Sequence, residues 1–269
     1  MIRVGVLGAL GRMGREVCRA IQEDPETVLV AAVDANASGE VISTGEQANG
    51  SVKVSEEIDM LSQAEVDVAV DFTHPTSVMD NVRWCVRHAV DVVVGTTGLR
   101  PENYDEIRAL IEEEGSESNV FVAPNFAIGA VLMMHLAEIA APHFDAAEVI
   151  EMHHATKLDA PSGTALSTAK RLAARRGGNP FSHKKAEKVT LEGTRGGEEG
   201  NVGVHSIRLP GLVADQEVIF GLPGQTLTIA HRTTSREAYV PGVLLAIRKV
   251  VSEARFYRGL DQLLGLHLA

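Results

Sequence analysis

Cysteine is nearly absent: the 269 residues include only Cys18 and Cys85, far apart and set among apolar neighbours. Neither has a partner at metal-ligand spacing, and one distant pair makes no disulfide framework. They read as buried free thiols, the usual state in a reducing compartment. Long apolar runs are missing too; none approaches the roughly eighteen residues that a bilayer span needs. The opening MIRVGVLGALG turns into glycines after a few apolar residues, unlike a secretory signal. The expectation is a cytoplasmic protein without a membrane partner. Positive charge is in deficit, with 25 Lys and Arg against 36 Asp and Glu and a formal net charge of −11. Nucleic acid and anionic membranes both require a basic footprint, so neither is an expected partner. A local basic pocket for a small anion is compatible with that balance. There is no internal repeat and no low-complexity segment.

What is present, in the first half, is alternation of short apolar runs with helical patterns. Strands are expected at 3–7, 28–33, 66–71, 91–95 and 119–123, and helices at 12–22, 75–88 and 101–114. Strands separated by helices imply βαβ units and a parallel sheet. Runs such as VDVAVDF and VDVVVG are almost continuously apolar, as strands covered on both faces should be. Residues 35–57 read as a surface loop with room for one short element. Beyond Pro124 the pattern changes: a helix at 129–141, a strand at 147–153 and a helix at 164–176. Residues 177–201, rich in Gly, Glu, Lys and Arg, read as mobile in part. Strand-like alternation follows at 204–209, 215–221 and 226–233, with Pro-Gly turns at 210–211 and 223–224. Meander order with tight turns suggests an antiparallel or mixed sheet. The final stretch, 236–266, reads as helical, with Pro241 in an early turn.

The first strand runs into GALGRMG, carrying Gly8, Gly11 and Gly14, and then into a helix. Glycine permits a tight turn and close approach of a pyrophosphate, which sits where first-turn N–H groups and the helix dipole favour negative charge. The spacing is G-x-x-G-x-x-G, so the loop alone is a moderate signal; a glycine-rich turn with no ligand is the plain alternative. Asp34, at the end of the second strand and twenty residues beyond Gly14, strengthens it, because an acid there bonds the adenosine ribose. Asp34 also repels a 2′-phosphate, although Arg12 lies in the loop. NADH is therefore expected to serve at least as well as NADPH. Ligands of an open parallel sheet bind beyond the carboxyl ends of its strands. Those ends carry Asp71-Phe72-Thr73, then Gly95-Thr96-Thr97-Gly98, then Ala123-Pro124-Asn125-Phe126. Such hydroxyls, an amide and rings suit a nicotinamide ribose and carboxamide.

Residues 151–165 read EMHHATKLDAPSGTA. Strand alternation sends His153 and His154 to opposite sides, and no nearby Cys or carboxylate completes a ligand set, so no metal is expected. Ser162 lacks the G-x-S-x-G elbow of a nucleophile. Acid–base chemistry fits better. His153 titrates near neutrality, Lys157 is a cation within reach, and Ser162, Gly163 and Thr164 open a helix whose hydroxyls and N–H groups can cradle a carboxylate. The plain alternative is a capped helix preceded by solvated histidines.

The block EMHHATKLDAPSGTA resembles the signature of the 4-hydroxy-tetrahydrodipicolinate reductase (dihydrodipicolinate reductase) family of the diaminopimelate route to lysine. The resemblance continues through VGVLGALGRMG, VDFTHP, GTTG, APNFAIG, VHSIRLPGLVADQEVIFG and YVPGVLLAIR. It implies an α/β protein: a Rossmann-type doubly wound parallel sheet formed by 1–126 and 235–269. An inserted α+β substrate-binding and oligomerisation domain, with a mixed or antiparallel sheet, would span 127–234. It further implies a homotetramer and an NADH- or NADPH-dependent reduction of a cyclic imine dicarboxylate, with no metal. His153 matches the family's proton donor and Lys157 its second catalytic residue. His154, Gly163 and Thr164 match substrate-carboxylate contacts, beside which Ser162 would lie. Gly8, Ala9, Leu10, Gly11, Arg12, Met13, Asp34, Gly95, Thr96, Thr97, Ala123, Pro124, Asn125 and Phe126 match cofactor contacts, with Phe72 at the same sheet edge. Two departures stand out. Asp215-Gln216-Glu217-Val218 replaces His-Gln-Glu-Val, and His231-Arg232 replaces His-Asp; altered surface or interface contacts are expected there. Another Rossmann amino-acid dehydrogenase, or a non-catalytic NAD(P)H-sensing protein, are the alternatives.

Overall fold

The computed structural model describes residues 1–43, 50–113, 117–183, 186–252 and 256–266. The expected loop residues 44–49 and 184–185, the end of one expected helix at 114 and the middle of another at 253–255 lie outside the described residues. The chain divides into two compact units, one formed by Met1–Ala127 with Tyr239–Gly265, the other mostly by Ile128–Ala238.

The first unit begins β1 (Ile2–Leu7), α1 (Arg12–Glu23), β2 (Thr27–Val33), followed by a small hairpin, β3 (Val41–Ser43) with β4 (Ser51–Lys53). The loop expected at 35–57 thus holds paired strands. Next come α2 (Met60–Gln63), β5 (Val68–Asp71), α3 (Val78–Arg87), β6 (Asp91–Val94), α4 (Pro101–Glu113) and β7 (Val120–Val122). The second unit contains α5 (Ile128–Ala140), β8 (Ala146–His153), α6 (Gly163–Arg176), β9 (Gly197–Glu199), β10 (Val202–Arg208), β11 (Ala214–Leu222) and β12 (Gln225–His231). The chain then returns to the first unit as α7 (Val240–Val250), β13 (Phe256–Arg258) and α8 (Leu260–Leu263).

The expected helix over 236–266 is therefore wrong in its second half. Phe256–Arg258 pairs in parallel with β7 and becomes the edge of the sheet, whose order is β13-β7-β6-β5-β1-β2. Aromatic Phe256 and Tyr257 suit a strand, and Gly259 at φ 95° keeps the helix from continuing backward through them. The parallel α/β reading holds: every pairing in this sheet is parallel. Burial explains the apolar runs, since all of β5 is buried and Val92, Val93 and Val94 of β6 have no exposed surface. Cys18 and Cys85 are free and buried; burial pushes the Cys18 thiol up to about 12 and raises Cys85 as well.

The sheet of the second unit runs β12-β11-β8-β10-β9 and is mixed, as expected, but it is not a meander. β10 lies parallel to β8 after the α6 crossover, and β11 pairs antiparallel on the other side of β8. The turn at 210–211 therefore carries the chain across the end of β8 instead of closing a hairpin. Only β11 and β12 form the expected tight pair. Here the two sequence departures meet: Arg232 lies 3.9 Å from Asp215 and also pairs with Glu217. Asp215 further accepts the Thr233 N–H at 2.7 Å. Among the described residues no helix is long and apolar enough to cross a membrane.

Candidate active site

In the first unit the chain order reverses between β1 and β5, because β2 lies beyond β1 and β6 beyond β5. Crevices at such a switch point hold ligands in open α/β sheets. Gly8 leaves β1 at φ 79°, and a Cβ there would stand 2.5 Å from the Phe72 carbonyl oxygen; one on Gly14 would stand 2.0 Å from the Gly8 carbonyl oxygen. Strand, loop and helix can approach this closely only as glycine. Gly11 is the N-cap of α1 and contributes no side-chain cap, so the first-turn N–H groups of Arg12 and Met13 stay outside the helical ladder. Buried Asp34 accepts the Leu10 N–H at 3.0 Å and the Asn36 N–H at 3.0 Å, fixing its carboxylate beside the loop. A cavity of about 380 Å³ opens here, lined by Gly8, Gly11, Asp34, Phe72, Thr73 and Asn81.

The neighbouring strand ends are knotted together. Fully buried Asp71 accepts hydrogen bonds from the Thr96 hydroxyl at 2.5 Å, the Thr73 hydroxyl at 2.7 Å and the Asn81 amide at 2.7 Å. Thr96, a candidate cofactor contact, thus spends its hydroxyl on structure, whereas Thr97 is exposed. A Cβ on Gly95 would lie 2.2 Å from the Phe72 ring, which packs 5.9 Å from Phe126. Ala123 and Phe126 are buried, Pro124 is exposed, and Asn125 accepts the Ala127 N–H at 2.9 Å. Ala9 is buried beneath the loop and Arg12 is exposed on it. The loop, Asp34 and Phe72 are gathered within this unit, and their charge and space fit a dinucleotide: glycine where backbone must approach, open N–H groups for phosphate, a carboxylate for ribose hydroxyls.

In the second unit β8 ends at His153, and His154 starts the turn that follows. His153 Nδ1 lies 2.5 Å from Glu151 Oε2. Glu151, fully buried, also receives Arg208 in a two-pronged pair at 2.7 and 2.8 Å and the Ser162 N–H at 3.1 Å. Lys157 Nζ donates to Asp159 at 2.7 Å, and His154 Nδ1 lies 2.9 Å from the Thr156 hydroxyl. Ser162 is buried and caps α6, its hydroxyl accepting the Ala165 N–H at 3.2 Å. Gly163 is exposed, and a Cβ there would meet nothing within 4 Å. The α6 start therefore offers the Gly163 and Thr164 backbone to an anion, while the Ser162 hydroxyl oxygen accepts from Ala165.

Burial lowers the His153 pKa below its ordinary value; Glu151 opposes that shift while Lys157 and Arg208 reinforce it. Burial pushes Glu151 upward, but hydrogen bonds from Arg208, Ser206 and His153 outweigh it and hold the carboxyl below its usual range. The Lys157 hydrogen bond lowers Asp159. Glu151 and Arg208 were not foreseen from sequence. Glu151 stands two residues before His153 on one strand, a spacing that puts both on one face; Arg208 has no local signal and is placed by register opposite His153. Among the described residues no group of three or more His, Cys, Asp or Glu is placed to hold a metal ion.

A parallel sheet with a glycine loop and a buried acid beside it is the arrangement of a Rossmann-type, nicotinamide-dependent oxidoreductase. Residues 2–126 match the family described as dihydrodipicolinate reductase, N-terminus, and residues 129–264 its C-terminus. The chain belongs to the dihydrodipicolinate reductase family. The 4-hydroxy-tetrahydrodipicolinate reductase of Corynebacterium urealyticum is 44% identical over 267 residues, 99% of this chain and 100% of that one. Its counterpart from Thermobifida fusca is 45% identical over 268 residues, again 99% and 100%. A solved structure, the dipicolinate-bound dihydrodipicolinate reductase of Paenisporosarcina sp. TG-14, superposes with a TM-score of 0.83 at 38% identity, covering 97% of this chain and 99% of that chain.

Proposed function

We propose that the chain reduces a cyclic, conjugated imine dicarboxylate, the dihydrodipicolinate formed when 4-hydroxy-tetrahydrodipicolinate loses its hydroxyl as water, to tetrahydrodipicolinate in the diaminopimelate route to lysine. When bound, NADH or NADPH supplies the hydride from nicotinamide C4. The Gly163 and Thr164 N–H groups hold one substrate carboxylate at the start of α6, and His154 meets the other. His153 gives a proton to the atom left electron-rich by hydride addition, and Lys157 assists as a cation beside the substrate. Gly8 to Met13 receive the pyrophosphate, Asp34 the adenosine ribose, and the backbone at Gly95–Thr97 and Ala123–Phe126 the nicotinamide half. The observation that carries the reading is the junction of β8 and α6, where His153 and the helix opening share one buried anchor.

Asp34 supports use of NADH at least as readily as NADPH. Buried free thiols support a cytoplasmic location. Ala147, Val149 and Glu151 of β8 are buried while Glu148, Ile150 and Met152 are only half-buried. That unshielded sheet face supports a homotetramer, which sedimentation would test. The activity is tested by generating the substrate from pyruvate and aspartate semialdehyde and following loss of absorbance from NADH and NADPH in parallel. Enzyme-dependent oxidation of NADH, at least as fast as that of NADPH, is expected; no oxidation of either would end the proposal.

A further inference from the structure

Glu151 opens the block EMHHATKLDAPSGTA, yet neither proton delivery nor carboxylate binding accounts for it. We infer that Glu151, locked by Arg208, is the positioning residue that fixes which nitrogen of His153 faces the substrate and ties that ring to the start of α6. The inference rests on the reading of His153 as the proton donor.

The buried residues preceding it on β8, Ala147 and Val149, are apolar, as the inner face of a sheet should be. A carboxylate next in that row is costly unless it is paired and hydrogen-bonded. It is both. Oε1 accepts from Arg208 at 2.7 Å and from the Ser162 N–H at 3.1 Å; Oε2 accepts from Arg208 at 2.8 Å and from His153 Nδ1 at 2.5 Å. These donors come from β8, β10 and the cap of α6, so one side chain pins three elements. Arg208 is itself held, donating to the Asp159 carbonyl at 2.6 Å.

Two consequences follow from hydrogen-bond chemistry. An ionised carboxylate only accepts, so His153 must carry its hydrogen on Nδ1, which leaves Nε2 as the nitrogen that gains and loses the working proton. The Ser162 N–H shares the same carboxylate, so the ring and the two N–H groups that follow Ser162 are set relative to each other through a single rigid group. A structural ion pair alone would need Arg208 and not the titratable ring. Such pairs are also weak contributors to stability, since apolar replacements often serve as well.

Nitrogen-15 NMR of histidine-labelled full-length protein, with His153 identified by its loss in His153→Gln, reads the tautomer directly. The neutral ring is expected with hydrogen on Nδ1 and a bare Nε2; the opposite tautomer in the wild type overturns the inference, and this measurement needs no variant at position 151. In Glu151→Gln the turnover is expected to fall about 10²-fold, within the range general-acid help supplies. The NADH titration should be unchanged, and the limb of kcat against pH should move to lower pH as the imidazolium loses its counter-ion. The double variant Glu151→Gln/His153→Gln should be no slower than His153→Gln, because Glu151 acts through that ring. Losses that multiply in the double variant, or an unmoved pH limb, mean a purely structural role and overturn it. Wild-type-like turnover in His153→Gln would instead sink the proton-donor reading, a separate outcome.

Discussion

The helices α1 and α6 each start where the chain leaves a strand, β1 and β8, to which a later strand, β2 and β10, runs parallel. In each, a buried acid grips a backbone N–H of the opening: Asp34 holds Leu10 at 3.0 Å and Glu151 holds Ser162 at 3.1 Å. From there they diverge. The α1 start has no side-chain cap and is crowded, with glycines that admit no Cβ; the α6 start is capped by Ser162 and open, with space around Gly163. Asp34 has only neutral partners among its hydrogen bonds, while Glu151 is paired with Arg208 and His153. On the proposed reading, the same anion-receiving geometry serves two ligands. A polyanion would be met by uncapped backbone at close range, and a carboxylate by a capped helix beside His153.

The comparison breaks hardest at the proton source. His153→Ala and Lys157→Ala are each expected to lower turnover about 10²–10⁴-fold with NADH binding nearly unchanged, measured by steady-state rates beside fluorescence titration. Wild-type-like turnover in either would remove that residue from the chemistry. Asp34→Asn should shift the NADPH-to-NADH ratio of kcat/KM toward NADPH by about tenfold, some 1.4 kcal/mol of relieved repulsion; an unchanged ratio would show that Asp34 does not read the ribose. The two openings should also answer alanine differently. Gly14→Ala, forced against the Gly8 carbonyl, should cost about 1–3 kcal/mol of stability by thermal melting and weaken NADH. Gly163→Ala should leave Tm unaltered and raise the KM for the dicarboxylate about threefold, a small change on the binding scale. Equal melting losses in both would erase the contrast. The smallest effect concerns pH. Because His153 acts protonated and its pKa lies below the ordinary value, kcat/KM should fall as pH rises through that lowered pKa. The limb of kcat should lie at higher pH, since bound carboxylates favour the imidazolium; coincident limbs would argue against a charge-coupled donor.

Much of both openings was legible in the sequence because each is local. GALGRMG and HHATKLDAPSGT place their functional groups within a turn or two of one another, so strand period and helix start suffice. Asp34 needed only the spacing rule for a second strand. What escaped depends on pairing between distant strands. Arg208 reaches Glu151 by register alone, and Asp215 meets Arg232 only because β11 and β12 pair. Thr96 stands at a strand end, where ligand contacts gather, and a buried acid on the neighbouring strand holds its hydroxyl, which no local pattern shows. The last strand failed for a different reason. Three residues are too few to display a period, and they follow directly on a long helical pattern.

That short strand bears on how the molecule is made. The nucleotide-binding sheet borrows β13 from the chain's far end, and α7 packs across its central strands, with Gly242 set against the Phe126 carbonyl so closely that a Cβ would stand 2.1 Å away. A chain emerging from the ribosome therefore displays β1 to β7 before α7 and β13 exist, while α5 to β12 issue between them as one uninterrupted stretch. Completing the sheet means closing a long loop, whose entropic cost grows only slowly with length. Removing residues from Tyr239 onward would strip the helix from one face and bare the β7 edge, leaving the glycine loop intact in sequence but attached to an unfinished sheet.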